Sequence, residues 1–245
     1  MAGIVARGVG KHYPLAKTDK LALSNVDLNV QDGEFICLLG PSGCGKTTLL
    51  NILGGLEPAS QGTVRFTGVG DPRRGYMFQE PRLLPWLSVR DNLRFVLDQR
   101  TRSEALDSWL KRVGLGGYGD YFPAQLSVGM QQRAAVARAL ITEPEVLFMD
   151  EPFSALDELT ALRLRDELLG LWHERRCTVV FVTHNPLEAV YLADRVLVMS
   201  PSPGRITQEI RVGEHFPRPR ELEDAALWRL SRGVVGLLMG EGALT

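Results

Sequence analysis

Residues 35–53 read Phe35-Ile36-Cys37-Leu38-Leu39-Gly40-Pro41-Ser42-Gly43-Cys44-Gly45-Lys46-Thr47-Thr48-Leu49-Leu50-Asn51-Ile52-Leu53. The stretch opens on five apolar residues, the pattern of a buried strand, and closes on a helical pattern from Thr48. Between them, Gly40 to Thr47 complete the spacing G-x-x-x-x-G-K-[ST]. The glycines let successive backbone N–H groups turn inward around a phosphate. The N-terminus of the following helix adds a favourable partial charge. Lys46 is placed to reach β- and γ-phosphates, and the Thr47 hydroxyl to hold Mg²⁺. The phosphate-facing stretch is therefore Gly40, Pro41, Ser42, Gly43, Cys44, Gly45, Lys46, Thr47 and Thr48. A Gly-rich turn without a ligand is the plain alternative, but it gives no reason for a strand before the loop and a helix after it.

Outward from this stretch, Val5–Val9 alternates and reads as an edge strand. Val26-Asp27-Leu28-Asn29-Val30 alternates too, with Asp32-Gly33 as a hairpin-type turn behind it. Gly62–Phe66 and Gly75–Phe78 read as short strands, the second ending at Gln79. Unbroken apolar strands return at Val146–Met149, Thr178–Val182 and Val196–Met199, and a long helix from about Glu158 to Arg176 joins the first two. This alternation predicts an α/β fold, a parallel sheet with helices on both faces. Residues 80–133 change character and look mostly helical, as in Ser103–Val113 with its stop at Gly114. They read as an inserted helical subdomain in one domain. About 1–79 and 134–213 form its core, and 214–245 form a tail with one helical pattern near Leu222–Leu238.

With 245 residues and 44% hydrophobic content, the chain suits one large domain with a sizeable core. A net charge of −1 gives no general pull toward nucleic acid. No run approaches the roughly 18 apolar residues of a membrane span, and Met1–Arg7 lacks a signal-peptide layout. The three cysteines are scattered, which fits a reducing cytosol. Cys37 and Cys177 read as small core residues; Cys44, inside the loop, reads as open to alkylation.

The strand Val146–Met149 runs into Asp150-Glu151. Asp150, at a strand's carboxyl end, is placed for Mg²⁺. Glu151, one residue on, is placed to polarise water for attack on a γ-phosphate. Two acids after a strand are common by chance and gain meaning from the phosphate loop upstream. His184 also ends a buried strand directly, unlike His12, His173 and His215. There a hydrogen bond to a γ-phosphate is within its chemistry.

Several motifs, in order, resemble those of the ATP-binding subunit of an ABC transporter over about residues 3–213. Tyr13 resembles the aromatic that stacks on adenine. Gln79 resembles the Q-loop glutamine, which contacts Mg²⁺ or the attacking water and couples to the membrane partner. Leu126-Ser127-Val128-Gly129-Met130-Gln131-Gln132-Arg133 resembles the ABC signature, Ser154-Ala155-Leu156-Asp157 the D-loop, and His184 the switch histidine. The resemblance implies a P-loop NTPase (RecA-like) parallel-sheet core with an antiparallel β subdomain and the inserted helical subdomain. It implies ATP and Mg²⁺ as cofactors and catalytic roles for Glu151, His184, Gln79 and Lys46. Nucleotide contacts would come from Tyr13, residues 40–48, Gln79, Ser127, Gly129 and Asp157, and metal contacts from Thr47, Gln79 and Asp150. Taken singly, Tyr13 is an ordinary strand-end aromatic, Gln79 a solvated polar residue and Asp157 a helix cap.

Val128 stands where the signature usually has its first glycine. With Ser127 as N-cap, Val128 is the first helical residue, a φ near −60° that valine adopts at a propensity cost of at most about 0.7 kcal/mol. Ser127 and the Gly129 N–H remain to meet a phosphate, so hydrolysis is expected to survive. Leu83-Leu84-Pro85-Trp86 resembles a stretch of the nitrate, sulfonate and taurine importer ATPases, as does Ser200–Ile206. A Leu/Trp cluster there is either subdomain core or a surface that a partner covers. The importer likeness implies a head-to-tail pair of ATPase subunits, two separate permease subunits and an extracytoplasmic substrate-binding protein. It also implies a peripheral place on the cytoplasmic face of the inner (plasma) membrane and no nucleic acid. The rival reading is an ABC protein that binds ATP without turnover or works outside transport. The tandem cassettes, heptad inserts and basic tracts of the latter are absent from the sequence.

Overall fold

The computed structural model describes residues 2–14, 20–68, 70–97 and 103–239, so the last six residues of the expected tail lie outside the described residues. In chain order the strands are β1 (Ile4–Tyr13), β2 (Lys20–Val30), β3 (Phe35–Leu39), β4 (Gln61–Phe66), β5 (Arg74–Met77), β6 (Val146–Asp150), β7 (Thr178–Thr183), β8 (Arg195–Met199) and β9 (Ile206–Arg211). The helices are α1 (Lys46–Leu53), α2 (Val89–Arg94), α3 (Ser103–Arg112), α4 (Val128–Leu140), α5 (Glu158–Arg175), α6 (Pro186–Leu192), α7 (Val212–His215) and α8 (Ala225–Met239). They fall into two compact units, 1–71 with 178–245, and 72–177.

In the first unit the strand order is β7-β3-β8-β9. β7 and β8 run parallel to the central β3, and β9 closes the edge antiparallel to β8. Every residue of β3 and β7 is buried, which is why both read as unbroken apolar runs. Helix α1 packs on β7, and α6 packs on β3, β7 and β8. A second, three-stranded antiparallel sheet has the order β2-β1-β4. This corrects two expectations. β1 is the central strand, not an edge, because β4 returns from some fifty residues away to pair with it; alternation along one strand carries no record of its partners. The Asp32-Gly33 turn joins no hairpin. It passes the chain from β2 to β3 in a different sheet, with the Gly33 N–H donating to the Thr178 hydroxyl at 3.0 Å.

In the second unit β5 and β6 pair in parallel. Helices α2, α3 and α4 enclose their own apolar core, built from Val89, Leu93, Leu106, Leu110, Val113 and Leu115 with Ala134, Ala137 and Ile141. Helix α4 packs on both parts of this unit. Its alanine-rich face completes the helical core, and it also packs on β5. Asp157 caps α5, and Arg176 ends it in a left-handed turn at φ 52°. Among the described residues no helix is long and apolar enough to cross a membrane.

Candidate active site

In the first unit Leu39 pairs with Thr183 of β7 and Val198 of β8. Gly40 and His184 therefore leave adjacent parallel strands at their carboxyl ends, where open α/β sheets hold ligands. Gly43 and Gly45 take φ of 75° and 103°, which turn the loop back on itself. Helix α1 starts with no side-chain cap and no acid in its first turn. Its first backbone donors are thus left for an anion. Lys46 is buried, and its Nζ donates to the carbonyls of Gly40 at 2.8 Å and Pro41 at 3.1 Å, spanning its own loop. Thr47 is exposed and Thr48 half-buried. His184 is exposed.

Two supports of this loop escaped the sequence reading. A Cβ at Gly204 would lie 2.1 Å from the Cys44 carbonyl, so only glycine fits beneath the loop there. The Gly204 N–H donates to Ala22 O at 2.9 Å and its carbonyl accepts from Ser24 N at 3.1 Å, tying Ser200–Ile206 to β2. The density of proline and glycine in that stretch was the available signal for a tight turn. Cys44 itself is fully buried, and burial pushes its thiol up from the usual range despite Lys46. The buried thiol is thus less available to alkylation than its place in the loop suggests from the sequence.

The other support holds Tyr13 at the end of β1. Its hydroxyl donates to Glu57 at 3.0 Å and lies 3.4 Å from the Thr48 hydroxyl. Lys11, buried, pairs with Glu57 at 2.8 Å and stands 5.1 Å from the centre of the tyrosine ring. The aromatic is thereby fastened to α1, and burial raises its phenol further, so it stays protonated at neutral pH. Neither Lys11 nor Glu57 sits in a recognisable motif.

In the second unit Met77 pairs with Met149. Gln79 and Glu151 each follow two residues later, so both emerge at the carboxyl end of the same parallel pair. Asp150 closes β6 and is buried; Gln79 is exposed. Glu151 is half-buried at φ 44°. A left-handed backbone costs a non-glycine residue about 1–2 kcal/mol, and such strain gathers at functional sites. Ser154 braces the turn, its N–H and hydroxyl donating to the Glu151 carbonyl at 3.2 and 3.0 Å.

Ser127 is the N-cap of α4 at φ −63°, ψ 159°, and its hydroxyl accepts from Met130 N. Val128 is the first helical residue and 59% exposed. Gly129 is half-buried, and a Cβ there would come within 3.2 Å of Leu156. Asp157 accepts from Thr160 N at 3.0 Å; Thr160 holds its carboxyl below the usual range, through the hydroxyl first and the N–H second. Capping is thus a job Asp157 does irrespective of any nucleotide. Leu83–Leu87 is pinned by the fully buried Asn92, which accepts from Leu84 N and donates to the carbonyls of Leu84, Leu87 and Ser88. Leu83 packs on the helical core, while Trp86 stays 70% exposed on this fixed loop.

The first unit thus holds Tyr13, residues 40–48 and His184. The second holds Gln79, Asp150 and Glu151 on one strand pair, with Ser127, Gly129 and Asp157 at helix starts. Thr47 in the first unit, and Asp150 and Gln79 in the second, each carry hard oxygens of the kind that Mg²⁺ takes. Among the described residues no group of three or more His, Cys, Asp or Glu could hold a metal.

The family described as ABC transporter matches residues 23–154, from β2 through the phosphate loop to Ser154. The chain belongs to the ABC transporter family, as one of its ATP-binding domains. An aliphatic sulfonates import ATP-binding protein, SsuB 2 of Burkholderia cenocepacia (strain HI2424), is 47% identical over 214 residues, covering 85% of this chain and 78% of the relative. SsuB 1 of Pseudomonas savastanoi pv. phaseolicola is 47% identical over 208 residues, covering 85% and 86%. Among solved structures, a dimeric post-hydrolysis state of the ATP-binding cassette MJ0796 bound to ADP and Pi matches at a TM-score of 0.77 and 32% identity, over 85% of this chain and 98% of that one. The ABC transporter assignment accounts for the α/β fold, with its parallel strands, separate antiparallel sheet and helices.

Proposed function

We propose that this chain is the ATP-hydrolysing subunit of an importer for a small anionic or organic solute of the sulfonate, taurine or nitrate kind. The observation that carries the reading is the phosphate loop, with its left-handed glycines and uncapped α1, in a chain 47% identical to an aliphatic sulfonates import ATP-binding protein. Residues 1–79 and 134–213 form the catalytic core of one domain, 80–133 its helical subdomain and the rest a tail. The loop from Gly40 to Thr48 holds the phosphates. Tyr13 stacks on the base, and Glu151 takes the proton of the attacking water. Gln79 orients that water, and His184 donates to the γ-phosphate. Thr47, Asp150 and Gln79 hold Mg²⁺, which neutralises charge on the phosphate oxygens when bound. Two copies pair head to tail, Ser127, Gly129 and Asp157 of each facing the partner's nucleotide. Closure pulls on two permease subunits at the cytoplasmic face of the membrane, fed by an extracytoplasmic binding protein. The test is ATP hydrolysis by the purified chain, alone and with its permeases. No Mg²⁺-dependent release of phosphate in either case would overturn the reading.

Base stacking is sequence-tolerant, so ATP and GTP should bind similarly. Tyr13→Ala should weaken ATP binding by about 1–3 kcal/mol, by analogy with base–aromatic stacking. Binding of inorganic tripolyphosphate should be unchanged. Equal ATP dissociation constants for mutant and wild type would return Tyr13 to a structural role.

Val128 bears on the binding-only rival. Its exposed isopropyl group crowds a facing nucleotide without disturbing the cap, so Val128→Gly should leave the hydrolysis rate equal or modestly higher. A wild-type chain without hydrolysis that Val128→Gly restores would favour the rival. Trp86, exposed on a pinned loop, suits a groove for a short permease helix. Trp86→Ala should loosen assembly with the permeases, or uncouple transport, while nucleotide affinity and Tm stay near wild type. A large fall in Tm would make Trp86 core.

A further inference from the structure

Helix α6 is gripped at both ends. At its start the Asn185 side chain accepts from Leu187 N at 3.0 Å and Glu188 N at 3.3 Å. The Thr183 hydroxyl donates to the buried Glu188 carboxylate and accepts from Asn185 N at 3.1 Å. His184 therefore sits between two residues fastened to the first turn of α6. At the other end, two arginines of the C-terminal tail collect the carbonyls that a helix leaves unsatisfied. Arg220 Nη1 donates to Val190 O and Tyr191 O at 2.9 Å and to Ala193 O at 2.8 Å, while its Nε donates to Phe216 O at 2.8 Å. Arg218 donates to Leu192 O and pairs with Asp194 at 3.0 Å. Asp194 in turn accepts from Phe35 N at 3.0 Å, and its own N–H donates to Phe35 O at 2.7 Å. The Arg218 guanidinium lies over the Phe35 ring, 5.7 Å from its centre. Phe35 begins β3, the strand that delivers Gly40 and the phosphate loop.

The tail thus joins the end of α6 to the start of β3, the two elements that carry His184 and the loop. Burial, and then Arg218, push Arg220 down to about 10, which leaves it protonated at neutral pH. An apolar contact would hold a tail in place at a smaller desolvation penalty. What a planar, five-donor fork adds is a fixed register for the backbone it grips. Helix α6 has seven residues and is only about 10 Å long, so a shift at its last carbonyls reaches His184.

We propose that Arg220, assisted by Arg218, is a positioning residue for His184, and that the C-terminal tail sets turnover through α6. The proposal rests on the reading of His184 as a γ-phosphate contact. It is tested with the full-length chain in a double-mutant cycle, measuring kcat and KM for ATP hydrolysis together with ATP affinity. Arg220→Met should lower kcat by about tenfold or more, corresponding to at least about 1.4 kcal/mol in the barrier, with ATP affinity within about twofold of wild type. Arg220→Lys should recover part of the loss. In a His184→Ala background Arg220→Met should change kcat by less than about twofold, because the residue it positions is gone. Unchanged kcat in Arg220→Met, or the same fold-loss in both backgrounds, would overturn the proposal. Wild-type turnover in His184→Ala alone would instead overturn the role of His184. Should Arg220→Met fail to fold, the same cycle run with Arg220→Lys decides by the same criterion, since lysine keeps the charge and loses the fork.

Discussion

Glu151→Gln should lose about 10²–10⁴-fold in ATP turnover, the usual contribution of a positioned general base, while ATP stays bound. The substitution keeps the size of the side chain and the backbone while removing its charge and basicity. The turn braced by Ser154 should therefore persist. With hydrolysis blocked, a closed dimer should accumulate in the presence of ATP, visible as a doubled mass in sedimentation. Near-normal hydrolysis would remove Glu151 from the chemistry. The left-handed backbone at Glu151 offers an independent check. Glu151→Gly relieves about 1–2 kcal/mol of strain, offset in part by glycine's own entropy of about 0.5–1 kcal/mol. That variant should be at least as stable as wild type and equally inactive, which separates a catalytic loss from a folding one.

Lys46→Met should abolish most ATP affinity. The ammonium spans the Gly40 and Pro41 carbonyls in the structure, and in the proposed complex it turns toward the phosphates. Hydrogen bonds to charged groups are worth about 1.5–3 kcal/mol each. Two to phosphate oxygens amount to about 10²–10⁴-fold in dissociation constant. Methionine keeps the buried stem packed but leaves the Gly40 and Pro41 carbonyls without their donor, so thermal stability without nucleotide should fall too, and the affinity is measured well below the variant's Tm. An unchanged dissociation constant, by equilibrium titration, would show that the loop binds its ligand through backbone groups alone.

Legibility of the fold followed burial. β3, β6, β7 and β8 are buried almost throughout and read as unbroken apolar runs, so their existence and parallel sense were plain, while their order in the sheet was not read. β9, on the outer edge, is mostly exposed and polar, and no strand was expected there. β1 was legible as a strand but not as the centre of a sheet, because pairing with β4 is a long-range fact. Candidate site residues were legible where they stood at strand ends or in a fixed-spacing loop, as with Lys46, Asp150, Glu151 and His184. Lys11, Glu57, Gly204, Arg218 and Arg220 were not, because they act through single hydrogen bonds or close approaches to distant backbone. Position along the chain does not encode such contacts. The helix start at Ser127 and Val128 was legible for a local reason: N-cap geometry depends on three or four consecutive residues.

All three cysteines are buried, and burial raises every one of their thiols, Cys177 to about 11. All three should react slowly with maleimides, since the thiolate is the reacting form, and labelling of the native chain measures that background. A single cysteine introduced at an exposed position such as 86 or 128 should be labelled selectively. Spin labels, fluorophores and cross-linkers can then report on closure or permease docking without first stripping a thiol from the phosphate loop.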